Sequence, residues 1–513
     1  MLNLAMLLED SAREQPSREA VVCGETRMTY AAVEAAANQV ANLLVQSGIE
    51  PGDRVALACP NVPYFPIVYY GILKAGGVVV PLNVLLKSRE IAYHLEDSRA
   101  KAFLCFEGGE QLRLGDEGWA GFQAAEKCEH FFLLTADPAG PSRIAGARTL
   151  GAALEGRPTT FETVPTKPQD TAVILYTSGT TGQPKGAELS HVNMLLNARL
   201  YDSMYERHPH DVHLITLPLF HSFAQTTQLN TGFYSRATLV LLPRFSAADV
   251  LTLTQREQVT FFAGVPTMYW ELLNADTDGI DLDAVRATLR VAVSGGAPLP
   301  LEVLRGFTEK FGVQILEGYG LSETCPTATF NRQDRPVRPG SIGLPVWGVQ
   351  VRVVDEDGRE VPVGEPGELV IRGHNVMKGY FGRPVETAKA LRDGWFRTGD
   401  IGRRDEDGYL YIVDRVKDLI IRGGFNVYPR EVEEALMAHP AVSLAAVVGV
   451  PHDRHGEEVK AFVIPTPDST VTEDELVAWS KATMAGHKYP RLVEFREALP
   501  LGPTGKILKR ELA

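Results

Sequence analysis

The 513-residue chain is too long for one ordinary domain, and its hydrophobic share of 44% is that of a globular protein with large cores. Its formal net charge of −13 argues against broad binding to nucleic acid or to anionic membranes, although a local phosphate site is compatible with a negative total. The composition therefore predicts a multidomain globular protein with no nucleic-acid partner.

Targeting and redox signals favour a cytoplasmic protein. No apolar run reaches the length of a membrane span, so we expect no integral membrane segment. The N-terminus lacks the basic start of a secretion signal, and the chain ends on Glu511-Leu512-Ala513, which is not a peroxisomal tripeptide. The five cysteines are scattered and never form a C-x-x-C pair, which predicts reduced structural thiols and disfavours a structural zinc site or a catalytic cysteine.

The first elements alternate between strands and helices. Ala20–Tyr30 predicts a hairpin that turns near Gly24, and a helix ending at Gly48 follows. The apolar positions of that helix recur every three or four residues: Val33, Ala37, Val40 and Leu44. Arg54–Ala58 and Gly77–Pro81 predict short buried strands around a second helix. This alternation indicates an α/β fold with mostly parallel sheets.

The most informative segment is Tyr176–Gly186, with the sequence YTSGTTGQPKG. The apolar run before it, Ala172–Tyr176, predicts a buried strand, and Ser190 beyond it favours the start of a helix. Glycines, hydroxyls and one lysine in a loop suit a polyphosphate, because backbone N–H groups can form an anion nest. It is not a Walker A loop, since a proline precedes its lysine and a glycine follows. A flexible surface loop could share this composition, but this order of residues after a buried strand favours a phosphate site.

Five further motifs place glycines, hydroxyls or charged residues in turns or after predicted strands. They are Leu217–His221, Ser294–Pro298, Gly318–Thr324, Thr398–Asp400 and Pro503–Ile507. Each one alone also fits a tight turn, a solvated charge or a structural histidine. Their number and order along the chain carry the functional argument.

The remaining sequence predicts two smaller units. Short strands with turn signals predict a small β-rich subdomain between Val346 and Tyr380. A strand, YLYIVD, follows Gly408 and leads into a charged segment, and we place a domain boundary at Arg415–Asp418. The last fifth or so has its own cycle of helix, strands and helix, including a capping box formed by Thr472 and Glu475.

The six motifs, in this order, resemble those of the adenylate-forming superfamily, which includes acyl-CoA synthetases, luciferases and peptide-synthetase adenylation domains. The resemblance covers essentially the whole chain. Within the superfamily, the chain most resembles bacterial medium- and long-chain fatty acid–CoA ligases. It implies an α/β AMP-binding domain, residues 1–414, of mostly parallel α/β sheets plus the small β-rich subdomain. A hinge at residues 415–417 would join it to a small, mobile α+β C-terminal domain, residues 418–513.

The resemblance also implies where ATP, Mg²⁺ and the co-substrate CoA bind. Glu323 and Thr177 would hold Mg²⁺, which prefers oxygen ligands. Thr324 would hydrogen-bond the α-phosphate, and Asp400 would accept hydrogen bonds from both ribose hydroxyls. The residues implied to bind ATP or CoA are Thr177, Ser178, Gly179, Thr180, Thr181, Gly182, Lys185, Gly295, Gly296, Ala297, Glu317, Gly318, Tyr319, Asp400, Arg415, Lys417, Gly423 and Gly424.

Lys506 is the residue to which the resemblance gives the main catalytic role. It would swing in from the small domain and bridge the substrate carboxylate and the α-phosphate, where an ammonium stabilises developing charge. His221 would position the substrate rather than transfer a proton. Relatives then rotate their small domain about the position of Lys417, which withdraws the lysine and presents Gly423 and Gly424 to the thiol arm of CoA.

Four positions depart from the family pattern. Ser322 stands where threonine is more frequent and keeps the hydroxyl, and Ala224 stands where glycine is common. Gln225 stands where some long-chain enzymes have a gating tryptophan, so a long-chain assignment cannot depend on that gate. Ile421 stands where several relatives carry lysine, which leaves that phosphate or CoA contact unassigned.

The implied reaction has two steps, in which ATP and a carboxylic acid give an acyl-adenylate and pyrophosphate, and the thiol of CoA then displaces AMP. We expect a medium- or long-chain fatty acid as the substrate. Amino acids are disfavoured, because Phe220-His221 replaces the phenylalanine–aspartate segment that meets an amino group. Aryl acids of the coumarate type remain the alternative, and the oligomeric state is open, a homodimer included.

Two rival functions make different predictions. Fatty acyl-AMP ligases, which stop at the adenylate or load a carrier protein, usually carry an insertion before the hinge, and the interval from Gly367 to Asp414 holds no surplus residues. A catalytically inactive nucleotide-binding protein is expected to lose Lys506, Glu323 or Asp400, and all three are present.

Overall fold

The computed structural model describes residues 2–177, 183–415, 418–423, 425–452, 455–467 and 469–512. Its strands are, in chain order, β1 (Glu19–Cys23), β2 (Thr26–Thr29), β3 (Arg54–Ala58), β4 (Val78–Leu82), β5 (Ala100–Phe106), β6 (His130–Leu134), β7 (Arg148–Thr149), β8 (Thr171–Thr177), β9 (Lys185–Ser190), β10 (Val212–Ile215), β11 (Thr238–Leu241), β12 (Phe261–Gly264), β13 (Val291–Ser294), β14 (Ile315–Gly320), β15 (Thr327–Phe330), β16 (Leu344–Pro345), β17 (Val349–Val354), β18 (Gly367–Gly373), β19 (Gly379–Tyr380), β20 (Leu391–Arg392), β21 (Trp395–Arg404), β22 (Leu410–Arg415), β23 (Ile420–Arg422), β24 (Phe425–Val427), β25 (Val442–His452), β26 (Gly456–Pro465) and β27 (Leu492–Phe495).

The helices are α1 (Met6–Glu14), α2 (Tyr30–Gln46), α3 (Tyr64–Lys74), α4 (Ser88–Ser98), α5 (Leu114–Ala124), α6 (Leu150–Leu154), α7 (His191–Leu200), α8 (Ser222–Ala224), α9 (Thr231–Ser235), α10 (Ala247–Arg256), α11 (Pro266–Asn274), α12 (Leu282–Thr288), α13 (Leu301–Phe311), α14 (Pro384–Ala390), α15 (Pro429–Met437) and α16 (Glu473–Thr483). Between α8 and α9 the segment Gln225–Asn230 winds as a π-helix. None of the helices in the described ranges is both long and apolar enough to cross a membrane.

Two mostly parallel sheets make up the large N-terminal part. One has the strand order β19-β9-β8-β4-β3-β5-β6-β7, and the other has the order β16-β15-β14-β13-β12-β10-β11-β1-β2. Parallel pairs join β3 through β8 in the first sheet, and β10 through β14 with β1 in the second. β4 is buried at every residue, as expected for a strand inside such a sheet. The predicted fold class is confirmed.

Local signals placed the first elements correctly. β1 and β2 form the predicted hairpin, and Gly24 at its turn has a φ of +57°, which favours glycine. The helix that follows, α2, is capped by the Thr29 hydroxyl, which accepts a hydrogen bond from the Ala32 N–H at 3.2 Å. The four predicted apolar positions of α2 are all fully buried, because their spacing places them on one face.

A separate five-stranded antiparallel sheet follows the two large sheets. Its order is β17-β18-β21-β20, with β22 paired to β21. The sheet continues to Arg415, well past the predicted end at Tyr380, because β21 and β22 complete it. The strand at Tyr380 instead joins the first large sheet, where β19 pairs with β9.

The C-terminal residues form a small α+β unit around the sheet β24-β23-β26-β25, with β27 parallel to β26. Two helices, α15 and α16, accompany this sheet. The predicted capping box starts α16: the Thr472 hydroxyl accepts a hydrogen bond from the Glu475 N–H, and the Glu475 carboxylate accepts one from the Thr472 N–H at 2.8 Å. The expected class of the small C-terminal unit is therefore observed.

Candidate active site

Seven of the residues expected to bind ATP or CoA lie outside the described residues. They are Ser178, Gly179, Thr180, Thr181, Gly182, Lys417 and Gly424. For these residues the roles implied by the sequence remain predictions.

The hairpin of β8 and β9 carries the two ends of the predicted phosphate loop. Thr177 is the last residue of β8 and lies opposite Lys185, the first residue of β9, because of the antiparallel register. The Lys185 ammonium is 5.4 Å from the centre of the Tyr380 ring, within the range of a cation–π contact. A hydroxyl residue and a cation thus lie together at one end of the hairpin, as an anion site requires.

Glu323 connects this hairpin to a second motif. It is 8% exposed, and its Oε1 accepts hydrogen bonds from the Thr177 hydroxyl at 3.3 Å and from the Tyr380 hydroxyl at 3.0 Å. Burial, and then the Glu323 carboxylate, raise the pKa of Tyr380, which keeps the phenol protonated as a donor.

The oxygen atoms around Glu323 suit a magnesium ion. Mg²⁺ is usually held by one or two carboxylates together with phosphate oxygens and water. The described residues contain no group of three or more His, Cys, Asp or Glu side chains that could hold a metal by itself. Glu323 and the Thr177 hydroxyl therefore fit an ion that the phosphates of a nucleotide help to bind.

The Thr324 hydroxyl is already hydrogen-bonded within its own turn. Thr324 is fully buried, and its Oγ1 accepts a hydrogen bond from the Leu321 N–H at 2.9 Å and donates to the Pro326 carbonyl at 2.5 Å. In this structure the hydroxyl proton is thus directed to the backbone. The predicted contact of Thr324 with an α-phosphate would require that proton to change partner.

Asp400 lies in a pair with Tyr319 that joins two of the predicted motifs. The Tyr319 hydroxyl donates a hydrogen bond to Asp400 Oδ2 at 2.7 Å, and Asp400 is only 3% exposed. Arg415 lies directly opposite Asp400 in the β21–β22 ladder, so the sheet register brings the two predicted nucleotide residues together. A carboxylate has two acceptor oxygens, and the Tyr319 phenol fixes one of them.

Glycines allow several chain segments to approach closely at the ends of β13 and β14. A β carbon added at Gly295 would lie 3.1 Å from the Gly318 carbonyl oxygen and 3.3 Å from the Phe223 ring. At Gly318 it would lie 2.7 Å from the Phe330 ring. Ala297, which is partly exposed, follows in the same segment. This close packing joins the segments into one surface, here called the glycine wall, which a planar ligand could contact.

Lys506 reaches this wall from the small C-terminal unit. A β carbon at Gly296, whose φ is +83°, would lie 2.9 Å from Lys506 Cε and 3.5 Å from its Nζ. Burial, and then the charge of Lys506, lower the pKa of His221 to about 3. The imidazole is therefore neutral near pH 7, and its Nδ1 accepts a hydrogen bond from the Phe223 N–H at 3.3 Å. The structure thus brings Lys506, Gly296 and His221 to one place.

Gly423 lies elsewhere, in the turn between β23 and β24. Its φ is +58°, and its N–H donates a hydrogen bond to the His455 carbonyl at 2.8 Å, within the small unit. Lys506, and not Gly423, therefore contacts the glycine wall of the large domain in this structure.

Sequence reasoning missed two residues that bind parts of the site together. Tyr380 is 57 positions from Glu323, and Thr267, whose hydroxyl donates to the Gly505 carbonyl at 2.6 Å, is 238 positions from its partner. Neither residue belongs to a motif or a periodic pattern, so no local signal could have identified it.

Glu317, which directly precedes Gly318 of the glycine wall, carries a buried carboxyl group. It is 3% exposed, its Oε1 accepts a hydrogen bond from the Leu299 N–H at 3.4 Å, and its Oε2 has no hydrogen-bond partner. Burial raises the pKa of Glu317 from 4.5 to about 7, although the nearby charge of Arg430 opposes that rise. The native protein therefore holds this proton more tightly than the unfolded chain between those two pH values.

We expect Glu317→Gln to remove a pH-dependent loss of stability. Ionisation of Glu317 is disfavoured in the native state. The protonated side chain therefore adds to the free energy of unfolding below pH 4.5, and this contribution, on the order of 3 kcal/mol, is lost as the pH rises through 7. The thermal midpoint of the wild type should fall by a few degrees relative to that of the variant between pH 5 and pH 8. Glu356→Gln, at an exposed carboxylate, is the control. Parallel midpoint curves for wild type and Glu317→Gln would contradict the assignment.

Two family models match the chain in the same order as the two parts described above. The AMP-binding enzyme model matches residues 8–381, and the AMP-binding enzyme C-terminal domain model matches residues 431–506. The chain belongs to the AMP-binding enzyme family. Within the adenylate-forming superfamily this AMP-binding enzyme falls in the acyl-CoA synthetase branch, and it is an AMP-forming acid–thiol ligase.

Relatives of this AMP-binding enzyme align along almost its whole length. A feruloyl-CoA synthase from an Amycolatopsis species is 37% identical over 502 residues, covering 98% of this chain and 96% of that protein. A long-chain-fatty-acid–CoA ligase from Bacillus subtilis is 35% identical over 528 residues, covering 99% and 94%. Among solved structures, ATP-bound MatB from Rhodopseudomonas palustris superposes with a TM-score of 0.89 at 34% identity, covering 100% and 98%.

Proposed function

We propose that this ligase joins a medium- or long-chain fatty acid to CoA through an acyl-adenylate. The observation that carries the proposal is that Lys506 lies against Gly296 and near a neutral His221. In addition, Asp400 is hydrogen-bonded to Tyr319, and Glu323 is hydrogen-bonded to Thr177. A full-length relative named for long-chain fatty acids supports the substrate class.

In the first step a carboxylate oxygen of the acid attacks the α-phosphorus of ATP. The new P–O bond forms as the bond to the β-phosphate breaks, and pyrophosphate leaves with the electron pair. The Lys506 ammonium would stabilise the negative charge that gathers between the two anions. His221, being neutral, would border the carboxylate without adding a second cation or donating a proton.

The nucleotide would be held by residues from four motifs. Asp400, already fixed by Tyr319, would accept hydrogen bonds from the ribose hydroxyls, and the close wall at Gly295 would face the adenine. Glu323 and Thr177 would hold Mg²⁺, which supplies positive charge to the phosphates. Holding both reactants in one geometry supplies much of the rate by proximity.

In the second step the CoA thiolate attacks the acyl carbonyl carbon, and AMP leaves as the C–O bond breaks. The proton of the thiol is released. For this step the small domain would turn about residues 415–417, which removes Lys506 and brings Gly423 and Gly424 toward the pantetheine arm. Glycine at these positions lets the arm pass close to the backbone.

An aryl acid is the second candidate substrate. The full-length relative named feruloyl-CoA synthase favours it. Amino acids are disfavoured, since Phe220-His221 offers no carboxylate for an amino group.

The test is incubation of the pure protein with ATP, Mg²⁺ and a panel of fatty and aryl acids, with and without CoA, and mass identification of the products. We expect acyl-CoA from C8 to C18 fatty acids. Acyl-CoA from coumarate or ferulate alone would replace the fatty acid assignment. Acyl-AMP that CoA leaves unchanged would instead indicate an acyl-AMP ligase.

A further inference from the structure

Residues 502–506, here called the Lys506 loop, pack on the first turn of α11, a helix of the large domain. The Thr267 hydroxyl donates a hydrogen bond to the Gly505 carbonyl at 2.6 Å. A β carbon at Gly505, whose φ is +75°, would lie only 2.8 Å from Val265 Cγ2, so the loop approaches α11 to within side-chain contact. These contacts fix Gly505, the residue directly before Lys506.

A second contact lies one turn further along the same helix face. Trp270 follows Thr267 by three residues, so both side chains project from one side of α11. The Trp270 indole Nε1–H donates a hydrogen bond to the Ser443 hydroxyl of β25 at 2.9 Å. Its ring packs against apolar side chains of the large domain and also against a cluster of the small one: Leu444, Ala446, Val448, Phe462, Leu499 and Leu512.

The two contacts must move together, because the small domain joins them internally. Ile507, next to Lys506, packs against the same cluster that receives Trp270. The Lys506 loop is itself closed by a hydrogen bond from the Gly502 N–H to the Lys506 carbonyl at 2.7 Å. A motion that withdraws Lys506 from Gly296 therefore also withdraws Ser443 from Trp270.

We propose that α11 is the docking helix of the small domain, and that Trp270 is the positioning residue that holds Lys506 at Gly296 during adenylate formation. This inference rests on the proposed function. Trp270 lies outside the motifs proposed to bind nucleotide and acid, and it acts by stabilising one of two domain arrangements. A ligand or contact present in only one arrangement shifts the population toward it, so loss of Trp270 lowers the fraction of enzyme ready for the first step.

The experiment measures the two half-reactions separately in the full-length protein. Adenylation is followed by pyrophosphate release from ATP and decanoate, and thioester formation by the conversion of supplied decanoyl-AMP and CoA to decanoyl-CoA. We expect Trp270→Ala to slow adenylation about tenfold or more, as loss of a packed indole and its hydrogen bond predicts. Thioester formation should stay within about twofold of the wild type, because that step needs the contact to be absent.

Conservative variants keep the test decisive if Trp270→Ala fails to fold. Trp270→Phe and Ser443→Ala each remove the hydrogen bond and leave the packing nearly intact, so each should slow adenylation about two- to fivefold. The double variant should be no slower than either single one, since all three lose the same bond. Trp347→Phe, at a tryptophan that is 72% exposed, is the matched control and should leave both half-reactions unchanged.

Three outcomes would overturn the inference. Equal losses in both half-reactions would show that Trp270 only supports the fold, and unchanged adenylation in every variant would show that the contact contributes nothing. Additive losses in the double variant would show that Trp270 and Ser443 act independently. Failure of the proposed function is a different result, because the wild-type enzyme would then form no decanoyl-AMP, or would form it without passing the acyl group to CoA, before any variant is compared.

Discussion

Lys506→Ala is expected to lower the rate of adenylate formation about 100- to 1,000-fold, which corresponds to roughly 3–4 kcal/mol of transition-state stabilisation. The ammonium lies against Gly296, where an added β carbon would be 3.5 Å from its Nζ, and its charge contributes to the lowered pKa of His221. In the proposed mechanism this is the place where the carboxylate and the α-phosphate meet. The measurement is pyrophosphate release with saturating ATP and acid.

The same variant should form acyl-CoA from supplied acyl-adenylate at close to the wild-type rate, because the proposed second step has Lys506 withdrawn. Arg510→Ala is the matched control, since Arg510 is an exposed cation of the same C-terminal tail. Adenylation at the wild-type rate in Lys506→Ala would refute the proposed mechanism while leaving the family assignment intact.

Asp400→Asn is expected to lower kcat/KM for ATP about 100-fold. The substitution keeps the size of the side chain but removes its charge, which would weaken the two proposed charge-assisted hydrogen bonds to the ribose, each contributing about 1.5–3 kcal/mol. It also places an amide beside the Tyr319 hydroxyl, which now donates to the carboxylate at 2.7 Å. Steady-state kinetics with varied ATP and saturating acid would measure the change.

Tyr319→Phe separates the two roles of this pair. It removes the phenol that fixes Asp400 Oδ2 and leaves the carboxylate in place, so we expect a loss of less than about tenfold in kcat/KM. If Asp400→Asn changed the KM for the carboxylic acid and left the ATP kinetics unchanged, Asp400 would belong to the acid site, which would contradict the assignment to ribose.

The sequence by itself determined the elements whose signals are local. Spacing of three or four residues buried one face of α2, and a hydroxyl at Ser190 and a Thr472–Glu475 pair marked the starts of α7 and α16. The motifs also sufficed to indicate the family, because each is a short run of residues whose chemistry can be recognised without knowing its neighbours in space. The predicted extent of the small β-rich subdomain was wrong for the opposite reason. Its later strands, β21 and β22, lie beyond Tyr380, outside the segment of turn signals that suggested the subdomain.

Only the tertiary structure decided which motifs meet and what holds them together. Thr177 reaches Glu323 across 146 positions, Tyr319 reaches Asp400 across 81, and Trp270 reaches Ser443 across 173. Such contacts depend on the packing of whole sheets and domains, and no periodicity in the sequence encodes them. The same holds for the neutral His221, because burial and a lysine from another domain set its pKa. Residue types and their order thus follow from the chain, whereas their distances, burial and partners follow from the fold.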